Sequence, residues 1–364
     1  MASQKFTPSP ALKNADEMHS VAKALVADGK GLLAADESTG SIKKRLESVG
    51  KENNDDNRRE WRDLMFTAEG PLEKYLGGVI TFEETLMKHD AQLNTQFKGT
   101  PLRDVIKNRN IIPGIKTDQG TKPLPRTEPE ETTTEGLDGL LARSQGYYQA
   151  GARFAKFRTT YIVTASTPSQ LAIEDNANVQ ARYASISQAA GLVPIVEPEV
   201  LCNGDFTIER SAEAHIAAYT HLFRTLSLHK VDFAGMILKA SMVVPGDKSG
   251  KVNTPEEVAA ATLHVLSKTV PPIVPGIVFL SGGLGEADAL AYLNAINQLA
   301  NKDRSVAPWK LSFSFGRALQ GEAMKVWAKS GDIKKAQDTF MLRAKWCWEA
   351  AQGEYRGEAG EPSK

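Results

Sequence analysis

Eight short apolar runs, spaced about 35 to 45 residues apart, limit what this chain can fold into more than any other feature. In order they are "GLLAAD" ending at Asp36, "GGVITFEE" around Ile80, "IIPGIKTD" running to Lys116 and "ARFAKFRTTYI" around Lys156. Then come "LVPIVEPEV" through Glu197, "AGMILKAS" with Lys239, "PGIVFLSGG" reaching Ser281, and "KLSFSFGRA" ending near Arg317. Runs of this length, rich in branched residues and bounded by turn formers, read as strands buried on both faces, the mark of a parallel sheet. Parallel neighbours need a crossover between them, and each interval has room for a helix and two loops.

The intervals do read as helices. In "TIERSAEAHIAAYTHLFRTL", Ile208, Ala212, Ile216, Tyr219, Phe223 and Leu226 fall on one helical face. "TPEEVAAATLHVLSK" opens with Thr254 as N-cap, Pro255 at the first helical position and Glu257 completing a capping box. Eight strands alternating with helices predict a (β/α)8 TIM barrel, an α/β fold with a closed parallel sheet. A doubly wound sheet is the alternative, but no Gly-rich dinucleotide fingerprint follows the first strand. The whole of 1–364 reads as one barrel domain. A leading helix spans about 10–28, the barrel about 29–320, and C-terminal helices about 321–364, with the polar, Gly-rich "QGEYRGEAGEPSK" as a mobile tail.

Charge then narrows the function. Lys plus Arg (44) equals Asp plus Glu (44), so no global field draws the chain to nucleic acid. No apolar run approaches membrane-spanning length, and the N-terminus shows neither an apolar signal core nor an Arg-rich amphipathic pattern. Two distant cysteines, Cys202 and Cys347, give no disulfide framework and no zinc spacing, and both are expected to be unreactive. The six histidines fall mostly in helical stretches or loops, without H-E-x-x-H spacing, which argues against a histidine-built metal site. The expectation is a soluble, cytoplasmic protein whose anion binding is local.

The ionisable residues stand where each apolar run gives out: Asp36, Lys116, Lys156, Arg158, Glu197, Glu199, Lys239 and Arg317. In a parallel barrel those ends form one rim, where active sites lie. Lys239 is the sharpest case, because Met236-Ile237-Leu238 leads straight into it and an unpaired buried ammonium is costly. A lysine partly desolvated among other cations is more easily neutral, and a neutral amine attacks a carbonyl to form a Schiff base. A nearby glutamate can shuttle the protons of that reaction. Cations with the backbone N–H groups of "SGG" and "FGR" suit phosphate, and two such sites suit a substrate with a phosphate at each end. Plainer readings stand beside these. Asp36 can cap the next helix, "SGG" can be only a turn, Glu197 and Glu199 can be structural, and Lys116 can be a charged rim residue. "ENNDDNRREWR" reads as a solvated loop and helix start with no catalytic role.

With these residues assembled, the sequence resembles the class I fructose-1,6-bisphosphate aldolases from about Lys30 to about Tyr355. The motifs that carry the resemblance include "GLLAADESTGSIKKRL", "GVITFEETL", "TTTEGLDGL", "GARFAKFR", "GLVPIVEPEV", "VPPIVPGIVFLSGG" and "LSFSFGRALQ". It implies a barrel lyase of glycolysis and gluconeogenesis, usually a homotetramer, that uses no metal or other cofactor beyond a Schiff base on Lys239. By the same resemblance, Glu197 is the main proton acceptor and donor, and Asp36 takes the hydroxyl proton when the C3–C4 bond breaks. Lys156 supports charge and proton transfer, with Glu199, Lys116 and Arg158 around it. Arg317, Ser314, Gly316 and the Ser281-Gly282-Gly283 turn match one phosphate site; Arg45 with Ser38 and Ser41 matches the other. The sequence departs from the family pattern at Ala240-Ser241 (usually Pro-Asn), Phe157 (usually Trp) and Leu284 (often Gln), and it ends at Lys364 without the family's terminal tyrosine. Two other readings are a transaldolase-type enzyme on a phosphosugar and a non-catalytic barrel kept as a binding scaffold.

Overall fold

The computed structural model describes residues 12–357. Eight strands close into a parallel barrel: β1 (Gly31–Ala35), β2 (Leu76–Thr81), β3 (Ile112–Lys116), β6 (Phe154–Tyr161), β7 (Val193–Val200), β8 (Ile237–Ala240), β9 (Gly276–Phe279) and β10 (Lys310–Phe315). Neighbours in the ring are neighbours in sequence, and β1 pairs with β10 to close it, Leu32 opposite Ser314. Every one of the eight apolar runs supplies one strand, so the closed barrel rather than the doubly wound sheet is what forms. Between β3 and β6 lie two further strands, β4 (Thr121–Leu124) and β5 (Glu131–Thr134), paired as an antiparallel hairpin outside the ring. Sequence periodicity did not reveal them, because "TKPLPRTEPEETTT" is polar, proline-rich and partly exposed.

Helices cover the barrel, and their inner faces and the strands' outward residues make the larger of two hydrophobic clusters. The second cluster fills the barrel's lower interior: Leu32, Ala34, Ile80, Phe154, Val193, Ile195, Ile237 and Val278. The leading helix, Ala15–Leu25, lies across that end, and Met18, Ala22, Leu25 and Val26 complete the plug. Positions 10–11 of the expected leading helix lie outside the described residues. Space for Phe154 comes from glycine: a Cβ on Gly114 would sit 2.2 Å from its ring, and one on Gly78 2.8 Å. No interior packing absorbs a clash that close.

Past β10 come the helices Arg317–Ser330 and Ile333–Ala350; Trp327 on the first stacks on Trp61 of the helix Asp55–Phe66, centroids 5.4 Å apart. Positions 358–364 of the expected tail lie outside the described residues. The Thr254 capping box is present, with Glu257 N donating to Thr254 Oγ1 (3.2 Å) and Thr254 N to Glu257 Oε2 (2.9 Å). The predicted stripe on the helix Ile208–Leu228 holds in its second half, where Tyr219, Phe223 and Leu226 are buried in the core. In its first half Ile208, Ala212 and Ile216 are only half-buried at the core's edge, while Ala214, His215 and Ala218 are buried. No described helix is long and apolar enough to cross a membrane.

Candidate active site

Side chains on a strand alternate between its two faces, so a charge two residues beyond a plug residue points into the same barrel interior, one layer higher. Lys156 follows Phe154 in this way, Glu197 follows Ile195, Lys239 follows Ile237 and Asp36 follows Ala34. The result is a compact charged layer on top of an apolar one. Lys239 Nζ lies 2.9 Å from Glu197 Oε1. Glu197 Oε2 lies 3.3 Å from Lys156 Nζ, whose other partners are Asp36 Oδ2 at 2.9 Å and Asp118 Oδ2 at 3.5 Å. Asp36, Lys156, Glu197 and Lys239 are all no more than 9% exposed.

Burial explains the alternation of sign. Sequence reasoning expects cations crowded around Lys239, but a buried ammonium needs a carboxylate against it, and each lysine here has one. Burial alone would raise the Asp36 carboxyl; Lys156, with Lys239 and Lys116 behind it, brings it down to about 2. Burial likewise opposes ionisation of Glu197, and Lys156, Lys239 and Arg158 outweigh it, so that carboxyl is also held low. Burial would favour neutral Lys156, but Asp36, Glu197 and Asp118 together hold its proton firmly. Lys156 is thus a fixed cation, while Glu197 is shared between two lysines.

Around this layer the mouth opens as a cleft of about 200 Å³. Its walls include Arg45, Arg158, Glu199, Ser281, Gly282, Ser314, Gly316 and Arg317. Arg158 pairs with Glu199, and Arg45 with Glu37. Ser314 Oγ is buried and has no hydrogen-bond partner among the described residues. Arg317 is exposed and opens the helix Arg317–Ser330, with no ion pair or hydrogen bond to its side chain among the described residues. Those two free groups and the Ser281–Gly282 turn suit a dianionic oxygen cluster. The turn's geometry requires glycine at 283, where φ is +68° and a Cβ would meet Cys202 Sγ at 2.2 Å.

The expected residues divide in a way the sequence did not show. Arg45 reaches over the Gly316 turn, so it joins the Arg317 and Ser281 side of the mouth. Ser38 and Ser41 stay at the start of the helix Thr39–Ser48, their hydroxyls 3.1 Å apart, and Ser38 Oγ accepts from Ser41 N. Lys116 does not line the cleft; Asp118 holds it at 2.7 Å. Among the departures from the family pattern, Phe157 points outward onto Tyr183, Ser241 Oγ accepts from Val200 N (3.0 Å), and Leu284 packs at the core's edge. Two residues escaped the sequence reading, Asp118 and Glu37. Asp118 stands two beyond Lys116 in "IKTD", hence on the same face, and that parity was the available signal.

The segment "ENNDDNRREWR" forms the helix Asp55–Phe66 with the pairs Arg58–Asp55 and Arg59–Asp56, but it is not simply solvated. Arg62 is fully buried, donating to Glu84 Oε1 (2.8 Å) and to the Glu37 carbonyl (3.0 Å). Nearby, Asp55, Glu84 and His89 stand at metal-ligand spacing, the one such group among the described residues. Arg58 and Arg62 already occupy Glu84, so a cation there would meet two guanidiniums. Both cysteines are free, and burial pushes their thiols up, Cys347 to about 12. A larger cleft of about 730 Å³ lies between Trp346, Trp348 and Tyr355, and none of the converging strand ends reaches it.

Comparison with known proteins agrees with this geometry. The family model described as "Fructose-bisphosphate aldolase class-I" matches residues 17–364. The cytosolic fructose-bisphosphate aldolase 6 of Arabidopsis thaliana is 49% identical over 348 residues, 95% of this chain and 94% of that protein. Fructose-bisphosphate aldolase B of Mus musculus is 46% identical over 340 residues, 93% of this chain and 90% of that one. Among solved structures, the Plasmodium falciparum fructose-bisphosphate aldolase in complex with TRAP and a small-molecule inhibitor matches with a TM-score of 0.89 and 42% identity. That match covers 96% of this chain and 98% of that one. A closed (β/α)8 barrel, the charged layer at its mouth and relatives of nearly equal length carry one conclusion: the chain belongs to the class I fructose-bisphosphate aldolase family.

Proposed function

We propose that this chain cleaves fructose 1,6-bisphosphate reversibly to dihydroxyacetone phosphate and glyceraldehyde 3-phosphate through an iminium on Lys239. The observation that carries the reading is the Lys239–Glu197 pair at 2.9 Å, with Lys156 bridging Glu197 to Asp36. Glu197 is placed to take a proton from the Lys239 ammonium. The freed amine adds to the C2 ketone, and Glu197 returns a proton so that the carbinolamine hydroxyl leaves as water. The resulting iminium is the electron sink. Asp36 accepts the C4 hydroxyl proton, the C3–C4 bond breaks, its electron pair neutralises the iminium to an enamine, and the aldehyde departs. Protonation of the enamine at C3 and hydrolysis release the ketone. Lys156 stays charged throughout and stabilises whichever carboxylate is ionised.

An organic cation on Lys239 supplies the electrophile, so the reading needs no metal and no added cofactor. Phosphate binding falls to Ser314, the Ser281–Gly282 turn, Arg317 and Arg45 on one side, and to the Ser38–Ser41 helix start on the other. Borohydride added with substrate should leave a reduced adduct whose mass maps to Lys239, and turnover should persist in a chelator. Cleavage that continues with no adduct on Lys239 rejects this mechanism. A transaldolase-type reading predicts instead that monophosphate ketoses outperform the bisphosphate.

The homotetramer implied by the resemblance is part of the same proposal. The half-buried stripe Ile208, Ala212 and Ile216 supports it: with Ala260 and Ala261 it lines a surface groove of about 580 Å³ that a second copy can cover. Sedimentation of the purified protein tests it. A cytosolic location is supported by several relatives that are cytosolic or cytoplasmic isozymes.

A further inference from the structure

Three carboxylates surround the Lys156 ammonium, and the mechanism above employs only Asp36 and Glu197. The third, Asp118, is 7% exposed and does not line the cleft. Its Oδ1 lies 2.7 Å from Lys116 Nζ and its Oδ2 3.5 Å from Lys156 Nζ; Lys116 also donates to the Asp118 carbonyl at 2.7 Å. The backbone around it is fixed from two sides. Thr117 N donates to the Lys156 carbonyl on β6 (3.0 Å), and Gln119 N to the Glu135 carbonyl just past β5 (2.9 Å). Arg143 Nη1 donates to the Thr117 carbonyl (3.2 Å), and Gly120 N to Asp118 Oδ1 (3.3 Å). The hairpin that sequence periodicity did not reveal therefore clamps the loop that carries this carboxylate.

We infer that Asp118 is a positioning residue: it anchors the Lys156 ammonium between Asp36 and Glu197 and draws Lys116 back from the cleft. The inference rests on the aldolase reading above. Counting charges shows why a third carboxylate is useful. Asp36, Asp118 and Glu197 face Lys116, Lys156 and Lys239, three against three. When the iminium becomes a neutral enamine, the proton that Asp36 has gained neutralises one carboxylate as well, leaving two against two. The centre stays balanced through bond cleavage only while Asp118 offsets Lys116. Without it, Lys156 carries an uncompensated neighbour of like charge, and its hold on Asp36 and Glu197 loosens.

Asp118→Asn is nearly isosteric and removes the charge. It should lower kcat for bisphosphate cleavage by about tenfold or more, with KM within about threefold, because the residue touches no substrate. Borohydride trapping on Lys239 should persist, since the Lys239–Glu197 pair is untouched. Asp118→Glu restores the charge and should recover most of kcat. If Asn alone impairs folding, Asp118→Asn with Lys116→Met removes the uncompensated cation; it should regain part of the lost kcat yet stay well below wild type, because Lys156 still lacks its third anchor. Wild-type kcat in either Asn-containing variant overturns the inference. So does a rise in KM at unchanged kcat in the single variant, which would make Asp118 a substrate contact. If the wild-type protein itself gives no Lys239 adduct, the aldolase reading fails first, and that result is distinct from the others.

Discussion

The two ends of the barrel are built on the same strands and obey opposite rules. At the floor, Leu32, Phe154, Ile195, Ile237 and Val278 meet Met18, Ala22 and Leu25 with no ionisable side chain in the cluster. Two residues beyond Ala34, Phe154, Ile195 and Ile237 of that floor, the mouth holds Asp36, Lys156, Glu197 and Lys239, linked by ion pairs. Burial is comparable, so exposure does not set them apart. What differs is how each layer tolerates burial. The floor gains from removing apolar surface from water, about 1.5 to 3 kcal/mol for each large side chain. The mouth avoids a penalty by pairing its buried charges, and such pairing adds little net stability. Stability is therefore concentrated below and chemistry above, and the rise of two residues along a strand is enough to separate them.

The comparison can be broken most directly at Lys239. Lys239→Met should reduce turnover by about ten-thousandfold or more while the protein remains folded, because Glu197 keeps Lys156 as a partner. A steady-state assay beside a thermal melt measures both; a large loss of stability with residual turnover would erase the distinction. The mirror experiment is Phe154→Ala at the floor. It should cost about 3 to 5 kcal/mol in denaturant titration, with kcat per folded molecule nearly unchanged. Glu197→Gln sharpens the mouth's internal division of labour. It should slow cleavage about a hundredfold while inorganic phosphate still competes with wild-type affinity.

The smallest effect concerns pH. Asp36 has its folded-state acidity held at about 2, below its ordinary 3.8. The stability this adds is fully present above about pH 4 and is lost as pH falls towards 2, about 2 kcal/mol in all. Glu197 is shifted in the same direction. Unfolding free energies measured from pH 5 down to pH 2 should fall more steeply for the wild type than for Asp36→Asn, whereas Phe154→Ala should lower the curve without changing its slope.

Much of the fold was legible because a strand buried on both faces has to be apolar throughout, and eight such segments at regular spacing leave few architectures. The charged ends were legible for the same reason, since Lys239 after Met236-Ile237-Leu238 breaks a pattern. Partnerships were not. That Glu197 serves two lysines, or that Arg45 crosses to the Gly316 turn, depends on which strands the ring places side by side. The β4–β5 hairpin has no periodic signature because most of it is exposed and polar, and it is tied to the Asp118 loop by backbone bonds between Glu135 and the pair Gln119 and Gly120. Phase was legible in the second half of the helix Ile208–Leu228, where Tyr219, Phe223 and Leu226 are buried, and not in the first, where His215 is a core residue. Burial drops its imidazole to about 4, so it sits there neutral despite being a polar letter in the sequence.

The seam between β1 and β10 joins Leu32 to Ser314, and Ser312 Oγ donates to the Lys30 carbonyl at 2.7 Å across 282 positions. A chain still leaving the ribosome thus has its first strand waiting for its last, and until that arrives two open edges stand ready to pair with strangers. Lys239 is synthesised well before β10, so the rim around it lacks Ser314 and Arg317 until that strand and the start of the next helix have been made. A chain that stops before Arg317 should therefore lack one side of the rim and keep two open sheet edges, and it should be lost to aggregation or proteolysis rather than work at a reduced rate.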